Sequence, residues 1–365
     1  MHPSPIRLDG SQGGGLALRS ALGLSLVSGL PLLIERIGSP GGQGLDARML
    51  ALVRAAQAVG GAQVEGAALG SERLLFAPSR VRAGDYLLDL GASGPIPECV
   101  QMIAPALALA GPSLVKLRGL TNPARGPVLP NLTMVWLPLM REIGYDLELE
   151  QHSAGFEPEG SGEVSLWVRG AGFGRSLDRR SRGTLREVRV LSTISNVPLE
   201  VATRQSDRAI QRLKESGIPA EAENIPVPAP RSRGSLCLVI AVFERGRAGF
   251  FAVGAPGDEG GAAGERAAEA CIEFIRSGAA VDASLAQRSV FPMAVAVASS
   301  KSRPPVFRFT VARLTEGLIA EASVASRLLG VEVALLAGAR PDEEAEVRIA
   351  HARESLLEAL RRRDT

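Results

Sequence analysis

Apolar residues recur at helical spacing over residues 16–28 (LALRSALGLSLVS), followed by Gly29 and the strand-like run LPLLIERI. A second helical pattern, 45–59 (LDARMLALVRAAQAV), ends at Gly60 and Gly61 and leads into AQVEGAAL. The rhythm returns at 97–110 (PECVQMIAPALALA), with Gly111 and the strand SLVKLRG, then at 131–143 (NLTMVWLPLMREI), with Gly144 and YDLELEQ. It comes back once more as helix 284–298, strand VFRFTVA, helix 316–329, Gly330 and strand VEVALLA. Glycine just past a helix is the expected left-handed stop, so Gly60, Gly144 and Gly330 are expected as equivalent helix ends. The pattern predicts an α/β fold of three helix–strand–helix–strand units packed around a common centre. Helix 97–110 has almost no polar face and should be buried.

Between the second and third units the pattern changes. Residues 186–278 read as strand REVRVLSTI, helix LEVATRQSDRAIQRLKES and a Pro-rich loop, NIPVPAPRSRG. Strands SLCLVIAVFE and AGFFAVG follow, then a Gly-rich linker and helix ERAAEACIEFIRSG. This predicts a small α/β domain inserted into a large one made of 1–185 and 279–345, with 346–365 as a charged C-terminal helix. The polar, Gly-rich run RGAGFGRSLDRRSRG reads as the linker at the insertion point.

A net charge of +2 over 365 residues gives no global field favouring nucleic acid or a membrane surface. Lysine occurs only at 116, 214 and 301, so the cations are nearly all arginines, the better fork for phosphate. Cys99, Cys237 and Cys271 lie far apart with no C-x-x-C pair, which predicts neither a disulfide framework nor a zinc site and fits a reducing compartment. The first 30 residues lack a basic segment followed by a clean apolar core, and no apolar run reaches membrane-spanning length. The expected location is the cytoplasm, with no membrane partner.

The chemistry begins with LDGSQGGGLALRSAL, where Gly10, Gly13, Gly14 and Gly15 precede an apolar helix. Clustered glycines ahead of a helix N-terminus suit a phosphate, because unpaired N–H groups point outward there. Taken with VEGAALGSERLLFAPSRVRAGDY, LGASGPIPECVQMIAPAL, GLTN, HSAGFEPEGSGEV and FRFTVARLTEGLIAEASVASRLL, the chain resembles the RNA 3′-terminal phosphate cyclase family over some 300 residues. The resemblance implies that family's fold and its reaction. A histidine takes AMP from ATP, passes it to an RNA 3′-phosphate, and the neighbouring 2′-hydroxyl displaces it to leave a 2′,3′-cyclic phosphate. By resemblance, Gln101, Ala283, Ser284, Leu285, Ala286 and Gln287 are nucleotide contacts, and Gly13, Gly14, Gly15, Arg19, Arg48 and Asn122 are phosphate contacts.

The departures fall on the reacting groups. Aligned through FTVA without a gap, the nucleophile's place is Gly317, and the Thr-Asn that follows in the family is Ala320–Glu321. The family's acidic residue in the third-unit helix is Gln287. The glutamate of the first loop is missing, and the basic loop is reduced to GSPGGQGLDARM, with Arg48 its only cation. The chain's histidines, His2, His152 and His351, lie outside this segment. The expectation is a cyclase-like protein without histidine–AMP chemistry, with no catalytic residue and no metal. It would bind RNA 3′ ends, bind nucleotide weakly, or act as a scaffold in RNA processing. The rival is an active cyclase, which would require ATP with a divalent metal. A transferase of the enolpyruvyl type is a further rival, but it would require many more lysines and arginines facing a cleft.

Several residues carry two readings. Arg19 is a phosphate fork or a structural ion pair with Glu35 or Asp9, and Gln101, ten residues before its helix-ending glycine as Arg19 is, is a nucleotide contact or a buried interhelical amide. His152 reads as an exposed edge residue, and His351 as a solvated one ahead of the C-terminal helix. Arg179, Arg180 and Arg182, with Arg361–Arg363, are either RNA contacts or solvated linkers.

Overall fold

The computed structural model describes residues 4–11, 14–38, 44–229, 231–255, 257, 261–300, 302–337 and 344–352. Three units share one order of elements, strand–helix–strand–helix–strand–strand. The first is β1 (Ile6–Asp9), α1 (Gly14–Ser28), β2 (Leu32–Glu35), α2 (Ala47–Gly60), β3 (Gln63–Glu65) and β4 (Arg73–Ala77). In the second, β5 (Asp85–Asp89), α3 (Ile96–Ala110) and β6 (Ser113–Gly119) lead into α4 (Leu129–Asn131), a π-helical turn (Leu132–Trp136) and α5 (Leu137–Glu142), then β7 (Tyr145–Ser153) and β8 (Gly162–Ala171). The third opens on β9 (Leu177–Arg179) and resumes after the insertion with α8 (Ala283–Ser299), β14 (Phe307–Val311), α9 (Glu316–Leu329), β15 (Val331–Leu336) and β16 (Ala345–His351).

Each unit's sheet has the same order, first–second–fourth–third strand. The first two strands run parallel across their helix, and the other pairings are antiparallel. The α/β expectation therefore holds, with each unit larger than periodicity suggests. Its first and last strands are short or half-exposed, and short apolar runs do not declare themselves as strands. The run expected as a linker contains β9, which pairs with β14 more than 100 residues further on. Residues 346–351, expected to begin a charged helix, belong to β16 instead. Ala345, Val347 and Ile349 alternate inward, between β14 and β15, while residues 353–365, including Arg361–Arg363, lie outside the described residues. His351 is accordingly half-buried in a central strand, not solvated ahead of a helix.

The helix stops need two corrections, the first being that α5 is capped by Ile143 (φ −86°), with Gly144 beyond it at φ 108°. Gly330 ends α9 in the left-handed conformation, but at α2 that role belongs to Gly61 (φ 52°), with Gly60 still helical. A Cβ on Gly60 would lie 2.5 Å from Leu26 Cδ2, so this glycine serves close packing of α2 on α1.

The inserted segment forms a fourth sheet, order β11–β10–β12–β13, from β10 (Leu185–Ser195), β11 (Glu221–Pro226), β12 (Gly234–Phe243) and β13 (Gly246–Val253). Helices α6 (Leu199–Glu215) and α7 (Gly261–Ser277) cover one face, with Val190, Leu213, Cys237, Val239, Ala267 and Cys271 in a core of their own. The opposite face of β12, through Leu238 and Ile240, belongs to the main core, which explains its unbroken apolar run. The basic cluster at the junction is structural. Arg179 is buried and bonds Glu142, Arg180 bonds Asp178 (2.6 Å), and Arg182 donates to the carbonyls of Phe274, Ile275 and Ala279 while stacking on Phe243 and Phe274. No helix among the described residues is long and apolar enough to cross a membrane.

Candidate functional site

Helices α1, α3, α8 and α9 pack together between the three sheets, and their contact carries a cluster of polar side chains. Arg19, 2% exposed, donates from Nη1 to Gln101 Oε1 (2.9 Å) and from Nη2 to Glu321 Oε1 (2.8 Å). The Ser20 hydroxyl donates to the same carboxylate oxygen (2.6 Å). Arg19 and Gln101, set ten residues before their glycines in successive units, thus meet directly. The carboxylate partner of Arg19 is Glu321, not Glu35 or Asp9. Glu35 pairs with Arg7 and Asp9 with Arg36 at the end of the first sheet, whereas Arg19 points to the helix centre. Burial pushes the Glu321 carboxyl above its usual range, against the opposing pull of Arg19 and Ser20.

Gly317 stands one turn before Glu321, in the first turn of α9, which Thr315 caps by accepting from the Leu318 N–H (3.2 Å). A Cβ at Gly317 would lie 2.7 Å from both Cδ and Oε1 of Gln287, and nearer still to its nitrogen. Gly317 and Gln287 therefore occupy one space.

Gln287 belongs to α8, whose N-cap Asp282 accepts from the Leu285 N–H (2.8 Å). Ala283 to Gln287 make its first turn. Leu285 and Ala286 are in the main core, while Ser284 and Gln287 line a cavity of about 340 Å³ with Glu98, Ala124, Gly126, Pro127, Phe251 and Arg288. Arg288 is buried and donates to Asn131 Oδ1 (3.2 Å). Burial lowers its guanidinium to about 10, with Asp282 opposing, so it stays cationic at neutral pH. Arg48, in the first turn of α2, bonds Glu98 Oε1 (2.6 Å), and Gly126 packs against that pair.

The remaining expected contacts are dispersed. Gly14 and Gly15 are the first two residues of α1, and Gly13 lies outside the described residues. Before them, Ser11 donates to Asp9 Oδ1 from its N–H (3.0 Å) and hydroxyl (2.7 Å), which with Arg36 holds the Asp9 carboxyl below its usual range. The groove outside this turn, about 550 Å³, is lined by Asp9, Glu316 and Arg327, whose guanidinium donates to the Arg7 carbonyl (3.0 Å), and otherwise largely by apolar side chains. Asn122 is buried, with neither amide atom hydrogen-bonded. His152 is exposed on the edge strand β7, within 2.8 Å of Ser165 Oγ.

Glu98, Arg288, Pro127 and Phe251 were not legible as site residues. A lone charge in an otherwise apolar helix was the available signal for Glu98 and Arg288. No group of three His, Cys, Asp or Glu side chains that could hold a metal ion occurs among the described residues.

A family model described as RNA 3'-terminal phosphate cyclase matches residues 11–335. A protein of Methylococcus capsulatus named RNA 3'-terminal phosphate cyclase is 37% identical over 336 residues, covering 88% of this chain and 90% of the relative. Proteins of the same name from Ralstonia nicotianae (34%; 92% and 95% covered) and Ectopseudomonas mendocina (32%; 91% and 95%) are also similar. On this match, which spans all three repeated units and the insertion, the chain belongs to the RNA 3'-terminal phosphate cyclase family.

Proposed function

We propose that this chain is a cyclase-fold protein of the cytoplasm that binds nucleotide or RNA 3′ ends, or serves as an RNA-processing scaffold, without the histidine–AMP step. In this reading 186–278 is a small domain set into the larger three-unit body. The observation that carries the proposal is the Gln287 carboxamide, which fills the space a side chain at Gly317 would need. Covalent nucleotidyl transfer requires a nucleophile that splits one hard step into two easier ones. Removing such a group from a well-studied hydrolase costs about 10⁶-fold in rate. His152 and His351, on strands β7 and β16, are not on the helices that carry Gly317 and Gln287. Binding is supported by the cavity next to Gln287, where Pro127 and Phe251 offer apolar faces for a base.

The test is incubation with α-labelled ATP and a divalent metal, followed by denaturation. No label should stay on the protein. The names of the relatives favour the second reading, an ATP-dependent cyclase forming 2′,3′-cyclic phosphate ends. A stoichiometric adduct, with cyclised 3′-phosphorylated RNA as product, would establish that reading instead.

A further inference from the structure

Each guanidinium around the cavity and the helix centre already bonds one of the protein's own acids or amides, although the Nε–H groups of Arg19 and Arg288 are buried without a partner. Arg19 bonds Glu321 and Gln101, Arg48 bonds Glu98, and Arg288 bonds Asn131 with Asp282 as its nearest opposing charge. Towards the glycine turn, Arg36 is bound to Asp9. Residues 37–47 contribute neither lysine nor arginine. Sites that hold a triphosphate meet its charge with unpaired forks, lysines or metal ions, because each phosphate loses hydration that something must replace. Here an incoming triphosphate would face Glu98 beside the cavity and would have to displace Glu321 to reach Arg19. The exposed Arg125 lies in sequence between the lining residues Ala124 and Gly126. One cation matches one phosphate.

We infer that the cavity beside Gln287 takes a nucleoside or a nucleoside monophosphate in preference to a nucleoside triphosphate. The inference rests on the nucleotide-binding reading above and narrows its ligand class. It makes Glu98 and Glu321 the residues that set the preference, by neutralising Arg48 and Arg19 from within. Glu321 holds Arg19 at 2.8 Å, with both side chains almost fully buried.

The test is calorimetric titration of the full chain with adenosine, AMP, ADP and ATP at one ionic strength, with magnesium present. Adenosine and AMP should bind within about 5-fold of each other, and ATP at least about 10-fold more weakly than AMP. ATP binding as tightly as AMP, or more tightly, would overturn the inference and leave the nucleotide-binding reading intact. If none of the four bound, the binding reading itself would fall, and the inference with it. The cause is checked separately with Glu98→Gln, at a partly exposed pair, and Glu321→Gln, which keeps an oxygen to accept from Arg19 and Ser20. In a variant whose circular dichroism is unchanged, the gap between AMP and ATP should close by about 5-fold or more. A gap that stayed constant in folded Glu98→Gln would overturn the assignment of the preference to charge pairing.

Discussion

Gln287 borders two regions of opposite character. On one side lies the contact of α8 with α9, closed by Gln287 against Gly317 and, one turn on, by Glu321 against Arg19. On the other lies the cavity under Pro127 and Phe251, where about 340 Å³ stays open. The closed region leaves Arg19 Nε, Gln101 Nε2, Gln287 Nε2 and Glu321 Oε2 buried without partners, and its charge pair persists because each partner holds the other. The open region is lined by groups whose partners leave an apolar face free. Closure of the α8–α9 contact and openness of the neighbouring cavity are therefore separate features here, because filling the first does not fill the second.

The comparison breaks most visibly at the ion pair. Glu321→Ala should destabilise the fold by about 3–5 kcal/mol, since it strands a fully buried guanidinium. Chemical denaturation measures this, and a loss under about 1 kcal/mol, the ordinary worth of an exposed pair, would mean that the centre is not closed. Gly317→His comes next. The imidazole must displace Gln287, so overpacking should lower stability by about 1–3 kcal/mol, and Gln287→Ala in the same chain should restore much of it. A single variant as stable as the parent would show that the two side chains do not share one space.

The open side responds differently. Phe251→Ala should weaken nucleoside binding by about 10-fold, the scale of one base–aromatic stack. Its melting temperature should change little beside that of Glu321→Ala, because Phe251 is only partly buried. The smallest effect is in pH dependence. Asp282 is buried, and burial raises its carboxyl above the ordinary 3.8, with Arg288 and backbone N–H groups opposing. A raised folded value means that the neutral form suits the native state, so the stability of the parent falls as pH rises from about 4 through that raised value. Asp282→Asn should therefore match the parent near pH 4 and melt slightly higher at pH 8. A variant that gained stability at pH 4 and lost it at pH 8 would reverse the sign.

Local signals read well where neighbours in sequence decide the outcome. The predicted helix 316–329 is α9 to the residue, and the SLVKLRG strand is β6. Caps, glycine stops and apolar spacing all act within a few residues. The departures at Gly317, Ala320–Glu321 and Gln287 were equally plain, since they are identities at aligned positions. The edge strands β1, β5 and β9 and the central strand β16 were not legible. Their pairing partners lie elsewhere in the chain, and a run of three to seven residues carries too few periods to mark a strand.

The sequence by itself thus determined the family and the three-fold recurrence of elements. Tertiary structure decided what the residues on those elements do. That Arg19 meets Glu321, 302 positions away, and that Gln287 fills the space beside Gly317, follows from how four helices pack between three sheets. Burial then turns those meetings into chemistry: in a dry helix contact a guanidinium must keep its carboxylate, and a missing side chain leaves room that a neighbour fills.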